Sequence, residues 1–166
     1  MAGEKRTLSL EQVWEALNTV VDPEIPVVTL VEMGIVQDVS RLNDESLQVV
    51  ITPTFSGCPA LHVMREDIAR CLKTLGEDQV DIKVSLTPPW TTDWIAESAR
   101  EKLRKFGITP APKHSGNLEI VLLQNVACPF CGSENTEIRN TFGPTPCRSL
   151  SFCLNCQQPF EHFKPL

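Results

Sequence analysis

The sequence predicts an α+β fold in two parts. An αββαβα domain, with helices against a mostly three-stranded sheet, precedes a small cysteine-rich β module. Three observations predict this. Helical and strand periodicities follow one another in the order α-β-β-α-β-α up to residue 107. The proline-rich polar stretch ITPAPKHSGN at 108–117 then interrupts them. Two Cys-x-x-Cys knuckles, Cys128/Cys131 and Cys153/Cys156, lie beyond it. The expected boundaries are a first domain over 1–108, a linker over 109–117 and a ribbon over 118–166.

Each element has its own signal. SLEQVWEALNTVV at 9–21 reads as an amphipathic helix. Ser9 and Gln12 are spaced for a capping box, and Leu10, Val13, Trp14, Leu17 and Val20/Val21 form the expected buried stripe. DPEIP at 22–26 ends it, because proline forbids continuation. Strands over 34–39 and 47–52, joined by the polar turn 41–45, read as a hairpin. A helix over 59–75 follows, with Pro59 in its first turn, Cys58 at its N-cap and Gly76 as its stop. Ala60, Leu61, Met64, Ile68, Cys71, Leu72 and Leu75 share its apolar face. Residues 80–86 alternate as a half-buried strand does. After TPPWTTDW at 87–94 a helix capped by Thr91 or Thr92 runs to Phe106 and closes at Gly107. A strand over 118–126 leads into the first knuckle.

Bulk properties restrict the function. The chain has 166 residues, 42% of them hydrophobic, enough for a packed core. The net charge is −6, and three basic and three acidic residues cancel within 127–166. An acidic body and a neutral tail lack the basic stripe that neutralises phosphates, which argues against nucleic acid and for protein partners. No apolar run reaches the roughly 20 residues that span a bilayer. The N-terminus shows no signal-peptide pattern, so the expected compartment is the cytosol.

Seven cysteines in a reducing compartment point to metal rather than disulfides. Within each knuckle two intervening residues let both sulfurs face one ion, and the 21-residue insert folds the second pair onto the first. Cys128, Cys131, Cys153 and Cys156 are therefore expected to close a structural, tetrahedral zinc site. Iron in a rubredoxin-like site would use the same spacing, and two redox dithiols are the alternative without metal. Cys147, a fifth thiol, is either a buried structural cysteine or an accessory thiolate.

In the first domain Cys58 is either a reactive, metal-touching thiolate at a helix start or a structural cysteine. Cys71 reads as a core cysteine. His62, His114 and His162 read as incidental. Asp22 and Glu24 form either a solvated turn or a polar cluster facing Cys58.

These residues carry a resemblance. DPEIP at 22–26, LVEMGIV at 30–36 and TPTFSGCP at 52–59 resemble the MIP-type (SufT-like) domain of iron–sulfur cluster assembly factors. With PPWTTDW at 88–94, REKLRKFGI at 100–108 and the cysteine-rich tail, the whole chain resembles the PaaD (PaaJ) family of bacterial phenylacetate degradation. The resemblance implies a link to the multicomponent phenylacetyl-CoA epoxidase. It implies a non-catalytic role in maturing the iron–sulfur reductase or the di-iron oxygenase. The family's prominent cysteine falls on Cys58 and its acidic motif on Asp22 and Glu24, with Thr54 in the same cluster- or iron-handling loop. The ribbon ligands fall on Cys128, Cys131, Cys153 and Cys156, and Cys147 also matches a family position.

The expectation is thus a maturation factor carrying structural zinc and a transient iron–sulfur cluster. Its partners would be epoxidase components, iron–sulfur carriers or a second copy in a homodimer. An accessory structural subunit of the epoxidase is the alternative.

Overall fold

The computed structural model describes residues 8–42, 46–113 and 125–165. The chain forms two compact units, one ending at Pro89 and the other beginning at Trp90.

In the first unit, α1 (Leu10–Leu17) opens with the complete capping box: Ser9 Oγ accepts the Gln12 N–H and Gln12 Oε1 accepts the Ser9 N–H. The helix ends four residues before the expected Val21, because the Asn18 and Thr19 side chains turn back onto the Trp14 and Ala16 carbonyls. Val13 and Leu17 are buried, whereas Leu10 and Val21 at the ends of the expected stripe are exposed. The motif at 29–33 is a single helical turn. Thr29 and Glu32 bond reciprocally, side chain to backbone, at 3.1 Å.

Strands β1 (Val36–Arg41) and β2 (Leu47–Ile51) pair antiparallel, with a register shift at Gln37. Helix α2 (Leu61–Thr74) crosses to β3 (Val80–Val84), which lies parallel to β2, giving the sheet order β1-β2-β3. The core joins Val13 and Leu17 of α1, Leu47, Val49 and Ile51 of β2, and Met64, Ile68 and Leu72 of α2. Each such side chain contributes on the order of 2 kcal/mol of hydrophobic stabilisation. Leu75, expected on this face, is exposed beyond the helix end.

Glu77 is buried and takes Arg41 in a two-pronged ion pair. It also accepts the Leu8 N–H, while Arg41 donates to the Leu8 carbonyl. One carboxylate thus ties the entry to α1, the end of β1 and the turn after α2.

In the second unit, Thr91 caps a 3₁₀ turn at Thr92–Trp94. Extended Ile95 and Ala96 separate that turn from α3 (Glu97–Phe106), so the single helix expected here is two pieces. Gly107 ends α3 at φ 91°, a conformation that favours glycine. Strand β4 (Ile108–Thr109) follows directly and pairs parallel with β7 (Pro159–Phe163). Strands β5 (Thr136–Asn140) and β6 (Arg148–Cys153) complete a four-stranded sheet ordered β4-β7-β6-β5.

The boundary therefore differs from the one expected at 108. Trp90 packs on Phe163 with ring centroids 6.4 Å apart, and β4 hydrogen-bonds to β7. Residues 90–113 thus belong to the same compact unit as the cysteine module. Of the expected linker, 109–113 are ordered on this unit. Residues 114–117, His114 and most of the expected strand at 118–126 lie outside the described residues.

Candidate metal centre and thiol loop

The two knuckles are built alike. Gly132 N donates to Cys128 O and Gln157 N to Cys153 O, both at 2.9 Å. Cys128 N donates to Ser133 O and Cys153 N to Gln158 O, at 2.9 and 3.0 Å. The residue after each second cysteine is left-handed: Gly132 at φ 73°, Gln157 at φ 59°. Strands β5 and β6 carry the insert that brings the knuckles together.

All four sulfurs lie within 4.8 Å of one another, with Cys128–Cys156 and Cys131–Cys153 both at 3.6 Å. Zinc–sulfur bonds of about 2.3 Å in a tetrahedron require sulfurs about 3.8 Å apart, so the set fits such an ion. Asn155 Nδ2 and Cys156 N donate to the Cys131 and Cys153 sulfurs at 3.7 and 3.5 Å, orienting them from outside.

A backbone hydrogen bond at Ser133 holds the exposed Cys131 thiol down to about 6. Burial pushes Cys156 up to about 12. A bound cation favours thiolate at every position. Among the described residues these four cysteines alone form a cluster of three or more metal-ligating side chains.

The module's hydrophobic core is small and partly made of the ligands. Cys128, Cys153 and Phe160 are its buried members, with Val126 and Cys156 against them. Cys147 is buried away from the four-sulfur cluster, with its Sγ 3.2 Å from Thr145 Oγ1. Arg148 donates to the same hydroxyl at 2.8 Å and to Glu161 at 2.6 Å. His162, read as incidental, is buried on β7 with its Nδ1 2.9 Å from Ser151 Oγ. Burial, helped by the nearby Lys164 charge, lowers its pKa to about 4.

The thiol loop lies in the first unit. Cys58 is half-buried, and its N–H donates to Phe55 O at 3.0 Å. It is not the N-cap: α2 begins two residues later than expected, behind Ala60, which makes no side-chain cap bond. The turn at 55–58 and the turn at Pro59 and Ala60 use the backbone geometry that would otherwise have started the helix at Cys58. Thr54 is half-buried beside this turn.

Asp22 is buried and its Oδ1 accepts the Glu24 and Ile25 N–H groups at 2.8 and 3.1 Å. That makes it the organiser of the DPEIP turn rather than a solvated carboxylate. Glu24 is half-buried. Cys71, expected in the core, is half-buried, with its thiol directed at Ala16 O at 3.5 Å. His62 is exposed and faces Glu66 at 3.2 Å.

The structure also selects residues to which the sequence by itself gives no role. Glu77 and Arg41 are 36 positions apart, and nothing local links them. Arg100 is buried on α3. It opens the REKLRKFGI stretch at 100–108, and on α3 it falls on the Ala96, Ala99, Leu103 face, where an arginine is out of pattern.

Comparisons with known proteins follow the same division. Residues 10–86 match the family model for an iron–sulfur cluster assembly protein, and residues 117–164 match the PaaD zinc beta ribbon domain. The chain is similar to an Escherichia coli K12 protein provisionally named as one of the subunits of 1,2-phenylacetyl-CoA epoxidase. They are 39% identical over 93% of this chain and 92% of the relative. It is also similar to an Fe–S protein maturation auxiliary factor of Bacillus subtilis, 32% identical over 54% of this chain and 88% of that one. Among solved structures, a DUF59 domain of unknown function from Bacillus anthracis superposes with a TM-score of 0.52 at 26% identity, covering 56% of this chain and 89% of the domain. No helix among the described residues is long and apolar enough to cross a membrane.

Proposed function

The chain belongs to the PaaD family, that of the E. coli protein named for the 1,2-phenylacetyl-CoA epoxidase, and from that premise we propose that it is a non-catalytic maturation factor for the metal centres of that epoxidase system. The cargo is iron or an iron–sulfur cluster. Cys58 receives it from an iron–sulfur carrier and passes it to the reductase or oxygenase component. Asp22 shapes the DPEIP turn that carries Glu24, and Glu24 and Thr54 take part with Cys58 in handling the cargo. Cys128, Cys131, Cys153 and Cys156 hold zinc as a structural ion, and the module they stabilise docks the partners.

The single observation that carries this reading is the separation of two kinds of thiol. The four clustered cysteines form a closed set with no vacant coordination position, which suits structure and not exchange. Cys58 stands outside that set, half-buried on a loop whose neighbour Phe55 is 43% exposed. Cargo transfer needs a sulfur that a partner can reach.

The test is to co-express the epoxidase components with a Cys58→Ser variant and measure their iron, labile sulfide and activity. A marked loss of all three, with the variant's own zinc content unchanged, is expected. Full iron and full activity would remove Cys58 from the account.

A second reading, an accessory structural subunit, is favoured by the name of the E. coli relative, which makes it part of the epoxidase itself. Stable one-to-one co-purification with the oxygenase, unaffected by Cys58→Ser, would favour it over maturation.

A further inference from the structure

The second unit contains a cavity of about 530 Å³ with no part in the maturation reading. Arg100, Arg104, Thr109, Pro110, Val126 and Glu134 are among the residues lining it. Arg100 is the anomaly there. It is only 3% exposed, yet no carboxylate lies within ion-pair distance of it among the described residues.

Its Nη1 and Nη2 donate to the Ala111 and Thr92 carbonyls at 2.7 and 2.6 Å, and its buried Nε has no hydrogen-bond partner. Burial lowers its pKa; the Glu97 and Asp93 charges act against that and the Arg104 charge acts with it, and the balance stays below the ordinary arginine value. The same chain pairs its other enclosed arginines: Arg41 with Glu77, and Arg148 with Glu161. A buried charge without its counter-ion is unfavourable, and neutral carbonyl dipoles compensate it only in part.

We infer that this cavity is a binding site for a small organic monocarboxylate, its carboxylate held between Arg100 and Arg104 and its apolar body set against Pro110, Pro112 and Val126. The charge count selects the ligand. Two arginines and Glu134 leave one net positive charge along the lining, which matches one negative charge. A planar carboxylate fits the guanidinium fork, whereas a phosphate dianion would give up more hydration against proline and valine walls. The volume falls in the range of small-molecule sites, about 300–1,000 Å³. The inference does not depend on Cys58 or on cargo transfer.

The experiment titrates the metal-loaded full-length protein with sodium phenylacetate, sodium acetate and inorganic phosphate as probes. Tryptophan fluorescence and backbone amide shifts report binding. Saturable phenylacetate binding is expected, with acetate and phosphate each at least about tenfold weaker. The amide shifts should centre on Thr109, Asn125 and Val126. Arg104→Ala should weaken phenylacetate about tenfold without changing metal content, and Arg104→Lys should restore part of the loss. Ala127→Trp, which adds bulk to the lining while keeping both arginines, should also weaken it.

No saturation by any probe up to about 10 mM overturns the site. So does unchanged affinity in both Arg104→Ala and Ala127→Trp. Phosphate binding tighter than phenylacetate overturns the organic-acid assignment.

Discussion

Gln157 occupies, after the second cysteine knuckle, the left-handed backbone position that Gly132 occupies after the first. The two turns share their hydrogen bonds, so the positions are equivalent in all but the side chain. A non-glycine residue there costs about 1 kcal/mol in backbone strain. Gln157→Gly is therefore expected to raise the stability of the second unit by up to about 1 kcal/mol, less what glycine loses in chain entropy. Gly132→Ala should lower it by a similar amount. Thermal unfolding of the metal-loaded protein checks both, and equal melting temperatures in all three proteins would contradict the equivalence.

Metal removal should act on the second unit alone. Its small core includes Cys128 and Cys153, so chelation takes away the ion and leaves uncompensated thiol groups inside that apolar cluster. The amide signals of β5, β6 and β7 should collapse on chelation, while those of α1, β2 and α2 keep their dispersion. A ribbon that stays ordered without metal would refute this.

Glu77→Gln should destabilise the first unit by about 3 kcal/mol, because it leaves the partly enclosed Arg41 without its counter-charge. It also weakens the acceptor for Leu8 N–H. Urea unfolding followed at Trp14 reads this directly. A change below about 0.5 kcal/mol, the range of an exposed pair, would show that the pair does not hold these segments together.

His162 gives the second unit a defined pH response. Its folded pKa, about 4, lies below the ordinary value near 6.5. Between those values the unfolded chain binds a proton that the folded chain does not. Stability is therefore complete above about pH 6.5 and falls as the pH drops towards 4, by an amount on the order of 3 kcal/mol. Thiolate protonation also acts in acid, so the informative quantity is the difference between the wild type and His162→Gln. The variant should show a shallower loss over that window, and parallel profiles would count against a neutral buried His162.

The element order, the hairpin, the α1 capping box and the four-cysteine set were all legible in the sequence, because each depends on neighbours a few residues apart or on one repeated spacing. Ser9 and Gln12 are three positions apart, and each cysteine pair is three positions apart. Helix ends were less legible. Asn18 ended α1 early and the turns before Leu61 delayed α2, since several residues compete locally for the same backbone groups. Tertiary structure alone decided the unit boundary, the Arg41–Glu77 tie and the burial of Arg100 without a carboxylate. Each depends on contacts between segments distant in the chain, such as β4 against β7, and pairing energy of that kind leaves no periodic mark in the sequence.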